Sequence, residues 1–204
     1  MAAAPSYSIV RLPKSHNHPP TWKALIAKQK ALRLQSLLTS PDSFSSTYER
    51  EIAFTDADWE ARLRNPSAYT LIAVKSTASR TGNQRDDERR PDSDYLDGEW
   101  IGSVVLVGPE EEHESPFATF DIYALFVLPE ARGKGVGGKL IESAASEAQT
   151  LTGGASKVLI RAAVASGNER VLKLYERAGF LETDIELEEG LGVEARVLIK
   201  EIEA

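Results

Sequence analysis

The stretch Val127-Leu128-Pro129-Glu130-Ala131-Arg132-Gly133-Lys134-Gly135-Val136-Gly137-Gly138-Lys139 decides the fold, because it joins a long apolar run to a strongly helical one. Residues 118–128 (ATFDIYALFVL) read as a strand, and Leu140, Ile141, Ala144, Ala145 and Ala148 recur at helical spacing. Between them, four glycines fall within positions 133–138. Glycines let backbone N–H groups turn inward, and a helix N-terminus adds positive partial charge, so the junction is an anion site suited to phosphate. Arg132, Lys134 and Lys139 add formal charge there.

Two phosphate chemistries fail on the flanking residues. Gly133-x-Gly135-x-x-Gly138 matches the dinucleotide fingerprint in form. That reading needs the glycines directly off the strand and an acidic residue at the end of the next strand. Here Pro129 to Arg132 intervene, and the next strand ends in Ala163-Val164-Ala165-Ser166. Gly133 to Lys139 also matches most of a P-loop, but the magnesium-binding Ser or Thr is replaced by Leu140. A nucleotide switch is therefore disfavoured.

Outward from the junction the chain alternates strands and helices. Residues 6–12 read as a first strand, and Thr21 as the N-cap of a helix whose apolar face carries Trp22, Leu25, Ile26, Leu34, Leu37 and Leu38. A short helix over 56–64 is entered through Thr55, and strands follow at 69–74 and 99–107. Between these two strands, residues 76–99 hold only Ala78, Tyr95 and Leu96 as hydrophobic side chains, so 76–97 read as a flexible polar insertion. A strand over 157–164 precedes a helix with Val171, Leu174, Tyr175 and Ala178 on one face. Residues 180–187 and 193–199 close the chain as a hairpin around 188–192. The order implies one mixed α/β domain over 7–204, with residues 1–6 as an N-terminal tail.

Composition removes whole classes. The 204 residues include no cysteine, which excludes disulfides, thiolate metal sites and a cysteine nucleophile. The net charge of −7 argues against nucleic acid as a partner. No run approaches a membrane span, and the N-terminus lacks the pattern of a secretory signal, so a soluble, cytoplasmic protein is expected. His16 and His18 lie in a Pro-rich loop without carboxylate support, His113 sits in an acidic turn and reads as solvent-exposed in the same way, and no metal is expected.

Val127-x-Pro129-x-x-Arg132-Gly133-x-Gly135-x-Gly137 after a long strand resembles the acetyl-CoA signature of the GCN5-related N-acetyltransferases (GNAT superfamily). The likeness extends to Asn168-Glu169-Arg170, Tyr175 and Gly179-Phe180, which look like the second segment of that family. Pro41 to Thr47 with Glu49 and Glu51 looks like its substrate-side helical segment. The resemblance implies a central mixed, mostly antiparallel sheet of about seven strands flanked by about four helices. It implies acetyl-CoA as co-substrate. Backbone groups of Phe126 and Val127 would pair with the pantetheine, and Arg132, Gly133, Lys134, Gly135, Val136, Gly137 and Gly138 would hold the pyrophosphate. Asn168 and Tyr175 would complete the cofactor site.

Without cysteine or a serine elbow, direct attack by an amine in a ternary complex is the natural chemistry. The resemblance makes Tyr175 the general acid for the departing thiolate. Asp121 sits where some family members carry a carboxylate, as base or substrate anchor, and Tyr123 shares its strand face. Glu51 and Tyr123 are the expected acceptor contacts. The acidic balance favours a cationic acceptor, either a small-molecule amine or an amine of a peptide or protein. A non-catalytic acyl-CoA sensor remains the alternative, and a homodimer is compatible with the sequence.

Overall fold

The computed structural model describes residues 7–75, 96–110, 115–183 and 195–204. Seven strands form one sheet: β1 (Tyr7–Arg11), β2 (Ala68–Lys75), β3 (Glu99–Glu110), β4 (Phe117–Val127), β5 (Lys157–Ala165), β6 (Leu181–Thr183) and β7 (Ala195–Glu203). Their order is β1-β2-β3-β4-β5-β7-β6. Every neighbouring pair is antiparallel except β4 and β5, which run parallel from Phe117↔Lys157 to Ile122↔Ala162. A parallel pair needs a crossover, and the glycine-rich junction with its helix supplies it.

Five helices are present among the described residues: α1 (Pro19–Thr39), α2 (Tyr48–Ile52), α3 (Asp56–Arg64), α4 (Val136–Thr150) and α5 (Glu169–Arg177). The expected α/β class and mostly antiparallel sheet hold, with five helices rather than about four. The polar insertion beyond residue 75, the 188–192 turn and residues 1–6 lie outside the described residues, apart from Leu96 and Asp97 of the insertion.

The two sheet faces have different partners. On one face, Leu140, Ile141, Ala144, Ala145 and Ala148 of α4 are buried, as their spacing predicts. Gly102 of β3 faces this helix, and a β-carbon there would stand 3.2 Å from Leu140 Cδ1. On the other face, α3 packs on β2, and α1 packs on α2 and α3. α3 starts with a capping box, in which Thr55 and Asp58 exchange side-chain and backbone bonds.

Two helices depart from the sequence reading. α1 begins at Pro19 with His18 at its N-cap, not at Thr21, because Pro at the first helical positions fits the fixed φ of the ring. Thr21 sits inside the helix, with its hydroxyl 2.9 Å from His18 Nδ1. The buried face of α1 runs through Trp22, Leu25, Leu32 and Leu37, leaving Leu38 exposed. In α5, Leu172 and Tyr175 are buried, while Val171 and Leu174 are half-buried because they line a cavity.

Candidate active site

The site begins where two strands part. Beyond Ile122↔Ala162, β4 and β5 no longer pair. β4 carries a bulge at this point: Val105 stands opposite Tyr123 and Ser103 opposite Phe126, so Ala124 and Leu125 face one residue of β3. Ala124 adopts φ +53°, a left-handed conformation that L side chains seldom take. The bulge turns the end of β4 away from β5 and opens a cavity of about 620 Å³ between them.

That cavity gathers most of the residues expected for the cofactor. Phe126, Val127, Arg132, Gly133, Gly135, Val136, Gly137, Gly138, Asn168 and Tyr175 all line it. Gly133 and Gly135 have φ of +76° and +82°, the conformation that folds the loop under the helix. No side chain caps α4, so the N–H groups of Val136, Gly137 and Gly138 lack intrahelical acceptors. At Gly137 a β-carbon would stand 3.0 Å from Leu174 Cδ2, so α4 and α5 approach closely there. These features fit a phosphate-bearing ligand lying along the cleft.

The basic residues of the loop are tied to it in different ways. Arg132 donates from Nε to the Val127 carbonyl at 2.9 Å and from Nη2 to Ser40 Oγ at 3.1 Å. Lys134 is not among the lining residues, and its ammonium donates to the Glu130 carbonyl at 2.8 Å. Lys139 pairs with Glu142 at 2.7 Å. Asn168 caps α5 and also donates to Ser43 Oγ at 3.3 Å. Ser40 and Ser43 thus clasp the 40–45 loop onto Arg132 and Asn168. These two contacts escape sequence reasoning, since 92 and 125 positions separate the serines from their partners.

Tyr175 projects from α5 into the core beside Phe180, with ring centroids 5.1 Å apart in an edge-to-face arrangement. It is 3% exposed, and its hydroxyl makes no hydrogen bond among the described residues. Burial pushes its phenol above the ordinary tyrosine range, so the group stays protonated at any physiological pH.

A second cavity, of about 370 Å³, lies on the α1–α3 face of the sheet and shares Tyr123 and Ala124 with the first. Its floor is β2 and β3, where Ala68, Thr70 and Ile72 stand in register with Val107, Val105 and Ser103. Trp59 and Trp100 form apolar walls, and Arg33, Arg50 and Arg62 also line it. None of these five residues carries a sequence motif; they come together only through the packing of α1, α2 and α3 over β3.

Glu51 lines this second cavity, and its carboxylate is already engaged. Arg33 donates from Nε to both oxygens at 3.1 Å and from Nη2 to Oε1 at 2.7 Å, and Arg62 donates to Oε2 at 2.9 Å. Burial pushes its carboxyl up, yet the bonds and charge of Arg33, with Ser46 and Arg62, outweigh that and hold it below the usual range. Tyr123 is 49% exposed at the junction of the cavities.

Asp121 shares the sheet face of the second cavity, in register with Val107, but lines neither space. Its two oxygens accept from Arg161 of β5 at 2.8 and 2.7 Å. The structure therefore brings Tyr175, Tyr123 and the glycine loop together, while Asp121 stands aside in an ion pair. Among the described residues, no cluster of His, Asp and Glu is arranged to hold a metal ion. No helix there is long and apolar enough to cross a membrane.

Residues 42–180 match the acetyltransferase (GNAT) family model. No curated protein matches the chain. Among solved structures, a GNAT-family acetyltransferase from Streptococcus pneumoniae is 19% identical, with a TM-score of 0.58 over 97% of this chain and 100% of its own. A GCN5-related N-acetyltransferase from Kribbella flavida is 16% identical, with a TM-score of 0.56 over 96% and 98% of the two chains. Arabidopsis thaliana NAA60 in complex with acetyl-CoA is 12% identical, with a TM-score of 0.52 over 97% and 98%. At these identities the likeness is one of fold.

Proposed function

The chain belongs to the GNAT family of acetyltransferases, and from that premise we propose that it moves an acetyl group from acetyl-CoA to a primary amine by direct attack in a ternary complex. The observation that carries this reading is the meeting of two cavities at Tyr123 and Ala124. One is a cleft with a glycine-rich helix N-terminus; the other is closed by the helices of the opposite side. A donor in the first and an acceptor in the second would meet at the bulge.

Acetyl-CoA supplies an activated thioester whose thiolate leaves as the amine adds. Arg132 and the free N–H groups of Val136, Gly137 and Gly138 bind the pyrophosphate, and the open edge of β4 at Phe126 and Val127 receives the pantetheine amides. Tyr175 holds a proton at its phenolic oxygen and delivers it to the leaving sulfur. The amine attacks in its neutral form and gives up a proton as the C–N bond forms, to the carboxylate of Asp121 through water, once Arg161 yields one oxygen. Tyr123 orients the acceptor at the junction.

Replacing Tyr175 by Phe should lower kcat by roughly a hundredfold, with the Kd for acetyl-CoA changed little. Because burial keeps the phenol protonated, kcat of the wild type should show no loss from Tyr175 up to about pH 10. Thiol release with a panel of amines reads both. Binding of acetyl-CoA without release for every amine would replace catalysis by a sensor role. Full activity of Asp121→Asn across the pH range, with Tyr175→Phe impaired, would remove the carboxylate assignment.

A further inference from the structure

We infer that the acceptor is an amine that also carries an anionic group, recognised by Arg33, Arg50 and Arg62. The inference takes from the acetyl-transfer reading only that the molecule in the second cavity is the acceptor. A space of about 370 Å³ suits one small molecule. Its charged lining among the described residues is three arginines and the single carboxylate of Glu51, a formal balance of +2. That carboxylate is spent, with both oxygens bound by Arg33 and Arg62. A cationic acceptor would meet net positive charge here, although the chain as a whole carries −7.

The hydrogen-bond inventory points the same way. Three polar atoms of the lining residues are buried without partners: Arg33 Nη1, Trp59 Nε1 and Gln29 Oε1. Interiors rarely leave such groups unpaired, because each has lost its water and gained nothing. Trp59 is wholly buried, so its indole N–H is closed to the cavity, while the partly accessible Arg33 guanidinium suits an anionic oxygen.

The three arginines divide the work. Arg33 keeps 17% of its side chain accessible, so it reaches the cavity while its other nitrogens hold Glu51. Arg62 commits one nitrogen to Glu51 and lies over the rings of Phe54 and Trp59, at 4.7 and 5.0 Å from their centroids, which fixes its plane. The exposed Arg50 guanidinium has no ion pair or hydrogen bond with any described residue. It is free to capture an incoming anion. Carboxylate and phosphate share this chemistry.

The test is calorimetric binding of matched amines to the full chain, alongside thiol release with saturating acetyl-CoA. β-Alanine, aminomethylbenzoate and aminopropyl phosphate supply the anions; the amides of the first two and diaminopropane supply the neutral and cationic controls. The anionic amines should bind roughly tenfold tighter than their controls, the usual gain of a charge-assisted hydrogen bond. The tighter of carboxylate and phosphate identifies the group. Arg50→Gln should cut the preference by about threefold or more and Arg50→Lys should keep most of it, since a lysine retains the charge. Equal or tighter binding of amide or diamine, no binding of any anionic amine, or an unchanged preference in Arg50→Gln overturns the proposal. Selective binding of the anions without thiol release for any amine upholds this site and overturns acetyl transfer instead.

Discussion

At the scale of the residue, Glu51 shows how much of the second cavity rests on one buried charge. Its side chain is 1% accessible, and two guanidinium groups take the place of water around it. Removing the carboxylate leaves Arg33 and Arg62 facing each other without the charge that pairs them. Glu51→Gln should therefore cost about 3 kcal/mol of stability and lower Tm by roughly 5–10 °C. The pH sign follows from its carboxyl lying below the ordinary 4.5 in the folded state. The stabilisation is full above that ordinary value and is lost as pH falls through the lower folded value. Urea midpoints between about pH 5 and pH 3 should fall steeply for the wild type and less for Glu51→Gln. The sequence singles out Glu51, which lines the second cavity. Its occupation by arginines 18 and 11 positions away is invisible without the helix packing. The same holds for Asp121, whose Arg161 partner is 40 positions distant on a neighbouring strand.

At the scale of the element, legibility follows periodicity. The buried stripe of α4 reads directly from its spacing, because one face meets one sheet. The face of α5 is misread by one position, because part of it lines a cavity and is only half-buried. The bulge of β4 leaves no mark in composition, since Ala124 is an ordinary strand residue in an unusual conformation. The neighbouring close approach is equally silent. A β-carbon on Gly102 would stand 2.7 Å from the Phe126 carbonyl oxygen, a backbone atom that cannot step aside. Gly102→Ala should thus cost about 2 kcal/mol and should weaken acetyl-CoA binding by displacing the end of β4. Chemical denaturation and cofactor titration measure the two effects separately.

At the scale of the whole molecule, the sheet consists of two parts joined by a single parallel seam. β1 to β4 form one part and β5, β7 and β6 the other, and only the six pairs from Phe117↔Lys157 to Ile122↔Ala162 connect them directly. The proposed cofactor lies at the open end of that seam and touches both sides. Acetyl-CoA at a hundredfold excess over its Kd should add about 2.7 kcal/mol and raise Tm by roughly 5–10 °C. Pantetheine, which lacks the pyrophosphate, should give little at the same concentration. Differential scanning fluorimetry distinguishes the two. The glycine run makes this cleft readable in advance, because its residues are contiguous. The second cavity is not readable, because its walls come from three helices and three strands.

The parting of β4 from β5 also sets a hazard. An unpaired length of strand presents the same N–H and C=O pattern as the outer edge of a sheet, and such edges recruit other strands. Here the edge lies inside the sheet, flanked by Ala163, Val164 and Ala165 across the gap. A ligand with its own amides, seated along β4, would cover that edge as a missing strand would. Loading with co-substrate would then protect the chain from self-association as well as prepare it for chemistry, and the empty protein would be the form most prone to aggregate.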